Sequence, residues 1–394
     1  MGGRVTMSDA EAWEILAAAR EVKVAGVVGG KPLLRTLHPV VHEGALWFHA
    51  SPAGETAGLV GGPVVASTER IWARIPSWMR DPERACPATT YYTSVQVEGV
   101  LEAVADPKAR AAALQAMMEH LQPEGRHVPI TADDPLYRGP VRGLAIARLV
   151  PERISAVHKL GQERTDDEIR TVLAGLWQRG EEDDLAAIEV VRRAHPSGPH
   201  FRATLPGFVP RCWPSPSDVS AAVALVRDAY WNEGVSDAII AASHRSSVAW
   251  VGLEHEGRLV ATARAISDRV KRSWIYDVAV HPHFQRQGIG TALMELMLDH
   301  PAVRQTNLFL TTRDAMPFYA GLRFVELWTE PPTDGRWART HMMRQGVATQ
   351  SQPLPFQAQT PGGGSGVRQA MSQVESGISE PRTQVGKQGS EQAS

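Results

Sequence analysis

The stretch HPHFQRQGIG, residues 281–290, constrains the fold of this chain more than any other segment. It follows the apolar run WIYDVAV and precedes TALMELMLDH, in which apolar residues recur at helical spacing. Glycines between a strand and a helix let the backbone approach an anion closely. The amides of the first helical turn then point at that anion, and the helix dipole adds to the attraction. The segment therefore predicts a strand, an anion-binding loop and a helix.

The glycine spacing excludes the two commonest nucleotide-binding loops. Gln285, Gly288 and Gly290 form the pattern Q-x-x-G-x-G. A Walker loop needs a lysine directly after its last glycine, and no lysine follows Gly290. A dinucleotide-binding fingerprint needs a third glycine three residues later, where Leu293 stands. On this stretch alone, a plain strand–turn–helix without a ligand stays open.

A second block lies about thirty residues downstream. The segment LFLTTRDAMPFYAGLRFVEL, residues 308–327, predicts a strand, a helix carrying Phe318 and Tyr319, and a further strand. The combination of V-x-P-x-x-Q-R-Q-G-I-G-T-A-L with A-x-x-F-Y resembles the Gcn5-related N-acetyltransferase (GNAT) family. The resemblance runs from Ser217 to about Met343 and implies an α/β fold with a mixed sheet.

The same resemblance implies acetyl-CoA as the acyl donor. Its pyrophosphate is expected on the glycine loop, and its pantetheine arm on the backbone of the strand WIYDVAV, which the family splays away from the next strand. Thr312 stands where the family usually has an asparagine that contacts CoA. The implied contacts are Val278, Ala279, Val280, Gln285, Arg286, Gln287, Gly288, Ile289, Gly290, Thr291 and Thr312.

Two residues are candidates for the proton transfers of such a reaction. The resemblance implies that Tyr319 protonates the departing thiolate, although a core tyrosine beside Phe318 is the alternative interpretation. Asp277 is the candidate base, directly or through water, and a structural aspartate fits the sequence equally well. The acceptor is expected to be a small-molecule or peptide amine. By family position its pocket is bordered by Tyr230, Trp231, Glu233 and Asp314.

The first part of the chain has the pattern of a mostly-β domain. A capping box from Ser8 to Glu11 predicts a helix. Apolar runs with period two then follow, joined by tight turns at 29–30 and 43–44. Many strands and few helices favour a closed or nearly closed barrel, because closure leaves few strand edges exposed.

The segments GGKPLLRT…FHASPAGE, TTYYTSVQVEG and AVHKLG resemble the pyridoxamine 5'-phosphate oxidase-related split barrels, in the branch of nitroimidazole-resistance-like flavin-binding proteins. The resemblance implies FMN at the interface of a homodimer. The implied flavin contacts are Arg35, Thr36, His49, Ser51 and Ser94. Gly54-Glu55 replaces a Ser-Arg or Ser-Lys pair and Thr93 replaces an arginine, so a carboxylate stands where phosphate is expected. Binding of flavin, binding of another cofactor and retention of the fold alone all stay open.

The predicted fold class has two domains: an N-terminal mostly-β split barrel of the FMN-binding type and a C-terminal α/β GNAT domain with a mixed sheet. The barrel is assigned to residues 8–163, a helical segment and Pro-rich linker to 164–215, the GNAT domain to 216–345, and a disordered tail poor in apolar residues to 346–394. The charged stretch in 163–194 is expected to form two solvated amphipathic helices that pack the domains together.

Composition narrows the classes of partner. The net charge of -2 argues against nucleic acid, and no apolar run is long enough to span a membrane. No basic segment followed by an apolar run opens the sequence, and the two cysteines have no metal spacing, so we expect a cytoplasmic location. His38, His42 and His49 lack accompanying carboxylates, so no metal site is predicted.

The sequence thus predicts an acetyl-CoA-dependent N-acetyltransferase fused to a flavin-binding-like split barrel, which dimerises through the barrel. The alternative is an FMN-dependent oxidoreductase, or a flavin-binding sensor, with an accessory acyl-CoA-binding domain. The intact glycine loop and Tyr319 favour the first hypothesis, because a domain that only binds ligands needs no proton donor.

Overall fold

The computed structural model describes residues 5–181, 183–195, 197–331 and 338–346. The predicted disordered tail, 346–394, lies outside these residues except for Gly346. Among the helices described, none combines the length and the apolar character needed to cross a bilayer.

Nine described strands form the sheet of the first domain, in the order β3-β2-β6-β7-β8-β5-β4, with β9 pairing with both β7 and β1. The strands are β1 (Val5–Thr6), β2 (Val22–Val28), β3 (Lys31–Leu37), β4 (Val40–His42), β5 (Ala45–Ala50), β6 (Pro63–Ile75), β7 (Thr89–Ala103), β8 (Ala145–Leu149) and β9 (Arg153–Lys159). The long β7 pairs with β9 through its first half and with β8 through its end, so it belongs to both halves of the split sheet. Alternate residues such as Val95 and Val97 point into the core.

Three helices accompany this sheet: α1 (Asp9–Ala18), α2 (Pro107–Leu121) and α3 (Arg138–Gly143). The predicted capping box is confirmed, because Ser8 and Glu11 each accept from the other's backbone amide at the start of α1. Asp106 caps α2, which has a proline in its first turn as the sequence predicts.

Two helices connect the domains: α4 (Asp166–Arg179) and α5 (Asp184–Arg193). Their apolar faces are buried in one cluster that extends from Tyr91 of the barrel, through Trp177, into the second sheet. The expectation of two solvated helices is only partly met, because the carboxylates of Asp184 and Glu189 are buried too. Arg192 of α5 itself contacts Glu189 at 3.3 Å, but the closer cationic partners, Arg179 and Arg211, come from outside α5, so a reading of the helix sequence alone misses them.

The second domain has a seven-stranded sheet in the order β10-β11-β12-β13-β14-β16-β15. Its elements are β10 (Phe208–Arg211), α6 (Pro216–Val226), α7 (Asp237–Ser246), β11 (Ala249–His255), β12 (Arg258–Ser267), β13 (Arg272–Val280), α8 (Ile289–Leu298), β14 (Asn307–Thr312), α9 (Met316–Gly321), β15 (Val325–Glu330) and β16 (Arg339–Arg344). The pair β13–β14 is parallel and the other described pairs are antiparallel, so the sheet is mixed. The predicted fold class of both domains is confirmed.

One strand lies where the sequence predicted a linker. Within 164–215, β10 pairs with β11 and forms an edge of the second sheet. It is only four residues long and contains Pro210, which a strand tolerates at an edge because its missing N–H is needed by no neighbour. Such a short strand has no recognisable alternation, so the sequence pattern did not reveal it.

Candidate functional site

A β-bulge interrupts β13 in the middle of the second sheet. Asp277 and Val278 together lie opposite Ala263 of β12, where the register shifts. Asp277 adopts a positive φ of 50°, which is uncommon for a residue other than glycine. A bulge disrupts the hydrogen-bond ladder locally and redirects side chains, so it sets the orientation of the strand at this point.

β13 and β14 separate beside this bulge. They pair only over Arg272–Trp274 and 307–309, and diverge beyond Trp274. A cavity of about 800 Å³ lies between the separated strands, with walls from β13, β14, α9 and the segment that joins α6 to α7. Of the predicted site residues, Asp277, Val278, Thr312 and Tyr319 all line this cleft. The splayed geometry that the resemblance implied is therefore present.

The glycine loop begins where β13 ends. The side-chain amide of Gln285 donates to the carbonyl of Val280 at 3.1 Å and ties the loop to the strand. Arg286 and Gly288 both adopt positive φ, 63° and 82°, which turns the backbone sharply before α8. Gly288 has no side chain to cap the helix, so the start of α8 is open.

The amides of this loop are unusually free. Among the described residues, no acceptor receives the backbone N–H of any residue from Arg286 to Thr291. Six consecutive donors at a helix start form an anion site, because each needs an acceptor and the helix dipole favours negative charge. The Arg286 guanidinium is exposed and makes no ion pair within the described chain. The loop therefore suits a group with several negatively charged oxygens, such as a diphosphate.

Tyr319 lies on α9 at the floor of the cleft. Its side chain is 8% exposed and packs against Phe318 and Phe324. No hydrogen bond engages its hydroxyl in the part of the chain that the structure describes. Burial raises the pKa of Tyr319, and Tyr230 and Asp314 add to the effect. The phenol therefore keeps its proton at neutral pH, as a general acid must.

Asp277 is held by several donors. Trp231 Nε1 donates to its Oδ1 at 2.9 Å, and Arg264 Nε donates to its Oδ2 at 2.5 Å. His244 Nε2 lies 3.6 Å from the same Oδ2. Because the carboxylate is buried and engaged at both oxygens, the geometry favours an anchoring role over a free base.

His244 belongs to this cluster, although no motif or spacing in the sequence indicates that it does. It is fully buried, and its Nδ1 accepts a hydrogen bond from Trp250 Nε1 at 3.2 Å, so its proton is on Nε2 and faces Asp277. Burial lowers the pKa of His244 to about 4, although Asp277 acts in the opposite direction. The ring is therefore neutral at physiological pH.

The remaining cleft residues include those expected at the acceptor side. Tyr230 and Trp231 pack edge to face, and the backbone N–H of Arg313 donates to the Tyr230 hydroxyl at 3.1 Å. Thr312 Oγ1 accepts from the Ala315 amide at 3.1 Å and so caps the turn before α9. The lining also includes Glu233, Arg264, Trp274, Tyr276, Asp314, Arg339 and His341.

In the barrel, the residues predicted for flavin do not gather around one point. Arg35 on β3 forms an ion pair with Glu55, and its Nη1 also donates to the Leu34 carbonyl at 2.7 Å. Thr36, His49 and Ser51 are exposed, whereas Ser94 lies in the middle of β7, three strands from β3 in the sheet. Three strand spacings amount to roughly 14 Å along a sheet, so one phosphate does not touch both Arg35 and Ser94 of the same chain.

Glu55 therefore changes the electrostatics of the expected phosphate position. Its carboxylate supplies the counter-charge that Arg35 would otherwise find in a phosphate. Thr93, where the family has an arginine, is buried and contacts Trp72 Nε1 and His158 Nδ1, both at 2.8 Å. The residues present do not fit a flavin phosphate in this arrangement. Among the described residues, no three histidine, cysteine or acidic side chains are placed to hold a metal ion.

Comparison with known families agrees with this architecture. The family model of pyridoxamine 5'-phosphate oxidase matches residues 8–158, and that of the acetyltransferase (GNAT) family matches residues 215–323. The chain therefore contains a pyridoxamine 5'-phosphate oxidase-like domain followed by a GNAT domain, as the sequence motifs predicted.

Individual relatives are similar to parts of the chain. It is 38% identical over 88 residues to GCN5-related N-acetyltransferase 1, chloroplastic, from Arabidopsis thaliana, a match covering 22% of this chain and 45% of the relative. The chain thus spans less than half the length of that curated relative.

Solved structures are similar to each half. The ribosomal-protein-S18-alanine N-acetyltransferase from Escherichia coli is 24% identical, with a TM-score of 0.31, over 37% of this chain and 100% of that one. The FAD and heme binding protein from Mycobacterium smegmatis is 17% identical, with a TM-score of 0.33, over 42% of this chain and 78% of that one.

Proposed function

We propose that the second domain transfers an acetyl group from acetyl-CoA to a primary amine. The observation that carries this proposal is the row of six unpaired amides, from Arg286 to Thr291, beside the opening between β13 and β14. A thioester that carries a diphosphate and a long polar arm matches both features at once. The match of residues 215–323 to the GNAT family supports the same assignment.

The diphosphate oxygens accept hydrogen bonds from these amides, and Arg286 adds a mobile positive charge. The pantetheine arm enters the opening next to β13, on the side of the strand where β14 no longer pairs with it beyond Trp274. Its amide groups then find the backbone of Val278 and Val280 at the edge that β14 leaves free. The bulge at Asp277 directs this edge toward the thioester, where a strand amide stabilises the oxyanion as it develops.

The reaction is a direct transfer. The amine lone pair attacks the thioester carbonyl carbon, the C–N bond forms, and the C–S bond breaks. Tyr319 donates its proton to the departing thiolate and regains a proton from solvent, while the acceptor nitrogen releases one. The products are an amide and CoA with a free thiol, so atoms and charges balance. The raised pKa of Tyr319 keeps this donor protonated before the transfer.

The general base stays a prediction. Asp277 lies next to the reaction site, but its oxygens already accept from Trp231 and Arg264. We propose that its first task is to hold these groups, and that the acceptor proton leaves through water in the open cleft.

Native mass spectrometry of the full chain with acetyl-CoA tests this function, combined with an assay of CoA thiol release in the presence of amines. We expect one acetyl-CoA per chain and amine-dependent release of the thiol. Absence of a complex at millimolar acetyl-CoA contradicts the proposal.

For the first domain we propose assembly as a homodimer through the barrel. Val27, Leu34 and Val65 lie on adjacent strands and are 66%, 59% and 36% exposed. An apolar strip of this kind is typical of a buried interface. Light scattering of the full chain tests it, and a monomeric mass contradicts it.

A flavin function is the second candidate, supported by the match of residues 8–158 to the oxidase family and opposed by the Arg35–Glu55 pair.

A predicted cytoplasmic location is supported by the cysteines, since Cys86 and Cys212 are both unpaired thiols.

A further inference from the structure

The acceptor side of the cleft has an unusual lining of exposed aromatic rings. Trp231, Trp274 and Tyr276 are 39%, 36% and 41% exposed, and all three line the same cavity. Large aromatic side chains usually bury most of their surface, because their apolar area stabilises the fold when it leaves water. Three such rings in one cleft indicate a surface that a bound molecule covers.

Two of these rings, Trp231 and Trp274, are held in place by contacts within the fold. The hydrogen bond from Trp231 to Asp277 sets the orientation of the indole, and Asp277 is itself held by Arg264. Trp274 stacks on Phe309 with ring centroids 5.1 Å apart and planes 24° apart. A rigid aromatic wall loses little entropy on binding, so it favours a flat, rigid partner.

The charged side chains of the cleft indicate which charge the acceptor carries. Arg264 is paired with Asp277, and Arg313 is paired with Asp314 and lies over the Tyr230 ring at 3.9 Å. Within the described residues, Glu233 lines the cleft and takes part in no ion pair or hydrogen bond of its side chain. One unpaired carboxylate attracts a single ammonium group, and a polycation would find no second unpaired carboxylate among these lining residues.

From these observations we propose that the acceptor is a primary amine joined by a short apolar link to an aromatic ring. The ring packs against Trp231, Trp274 and Tyr276, and the amine reaches the thioester beside the bulge at Asp277. The inference rests on the proposed acetyltransferase function and names its substrate class.

A matched panel of acceptors tests the inference with the full chain. 2-Phenylethylamine is compared with 2-cyclohexylethylamine, which has similar size and charge but no aromatic face, with spermidine, and with a short peptide that has a free α-amino group. We expect kcat/KM for 2-phenylethylamine to exceed that for 2-cyclohexylethylamine by ~3–10-fold, because aromatic pairing adds about 1 kcal/mol to burial alone. The margin over spermidine and the peptide is expected to be larger.

Two variants test whether the preference for an aromatic acceptor depends on Trp274. Trp274→Ala leaves the Asp277 cluster intact, since its indole donates no hydrogen bond within the described chain. We expect it to raise KM for 2-phenylethylamine by ~5–10-fold, with little change for spermidine and in acetyl-CoA affinity. Trp213→Ala is the matched control, because Trp213 is 44% exposed and lies outside the cleft lining. It is expected to leave both constants unchanged.

The possible outcomes distinguish failure of the proposed acceptor class from failure of the proposed acetyltransferase function. If acetyl-CoA binds and spermidine or the peptide is acetylated more efficiently than 2-phenylethylamine, the acceptor class is wrong and the transferase function stands. The acceptor class is equally wrong if acetyl-CoA binds and no arylalkylamine is acetylated. If acetyl-CoA does not bind, the proposed function itself fails.

Discussion

Arg211 of β10 forms an ion pair with Glu189 of α5, with Nε and Oε2 2.9 Å apart. The guanidinium also contacts Asp218 and Glu254 at 2.8 and 2.6 Å, so one buried cation joins an interdomain helix to three elements of the second domain. Burial lowers the pKa of Arg211, but the three carboxylates outweigh it and the net shift is upward. The cluster fixes the interdomain helices to the second sheet.

Replacing Arg211 is expected to destabilise the protein strongly. Arg211→Met leaves the buried carboxylate of Asp218 without its cation and leaves Glu189 with only the longer contact to Arg192 among the described residues, and breaking a buried pair of this kind typically costs about 3–5 kcal/mol of the free energy of unfolding. Urea unfolding followed by circular dichroism measures the change. Arg245→Met, at an exposed arginine of α7, is the control and is expected to change stability by less than about 0.5 kcal/mol. Equal effects of the two variants contradict the role of the cluster.

Gly288→Ala is expected to weaken acetyl-CoA binding by roughly tenfold or more. The substitution places a side chain at φ 82° and distorts the loop whose amides are unpaired. Gly257→Ala is the matched control, because Gly257 has a φ of 76° and equally open surroundings in the β11–β12 turn. Calorimetric titration with acetyl-CoA compares the two. If both variants bind like the unmodified protein, the loop does not hold the diphosphate.

Tyr319→Phe is expected to lower kcat by ~100-fold or more while KM for acetyl-CoA stays within about twofold, because only proton donation is removed. Steady-state assays at saturating amine measure both constants. Tyr137→Phe is the control, since within the described residues that hydroxyl donates to the Val128 carbonyl in the barrel and has no other partner. An unchanged kcat in Tyr319→Phe contradicts the assignment of the acid.

In the barrel, Glu55→Ser is expected to increase FMN affinity by ~10-fold or more. The change frees Arg35 from its ion pair and removes a negative charge that repels the phosphate. Quenching of flavin fluorescence measures the dissociation constant. Glu14→Ser, at an exposed glutamate of α1, should have no effect. If FMN affinity is the same in Glu55→Ser and the unmodified chain, Glu55 is not what opposes flavin.

Acid is expected to destabilise the second domain. Burial lowers the pKa of His244 to about 4 and that of His300 to about 3, whereas an unfolded histidine titrates near pH 6.5. Below about pH 6.5 the unfolded chain binds protons that the folded chain does not, so stability is full above that pH and falls as the pH drops toward 4. Thermal midpoints between pH 7.5 and 4.5 measure the slope.

A histidine variant tests whether His300 contributes to this fall of the thermal midpoint with pH. His300→Gln should flatten the decline, while His120→Gln, at the end of α2 on the barrel surface, should leave it unchanged. A midpoint that rises on acidification contradicts the sign of the effect.

The sequence by itself determined the elements whose signal is local. The glycine loop, the helix after it and the helix that carries Tyr319 follow from the spacing of neighbouring residues, because caps, turns and helical faces are encoded within a few positions. The capping box at Ser8 and the two domain resemblances belong to the same class. The four-residue β10 was missed because its pairing with β11 lies outside its own segment.

Only the tertiary structure decided which charges and rings meet. Asp277 and Trp231 are 46 residues apart, and Arg35 and Glu55 are joined only when the segment after β5 returns to β3. The bulge that gives Asp277 its positive φ depends on the register of β12 against β13. Such contacts arise from chain closure and strand register, which no local spacing encodes. For that reason Asp277, a candidate base in the sequence, accepts hydrogen bonds from Trp231 and Arg264 in the fold, and Arg35, a candidate phosphate ligand, forms an ion pair with Glu55.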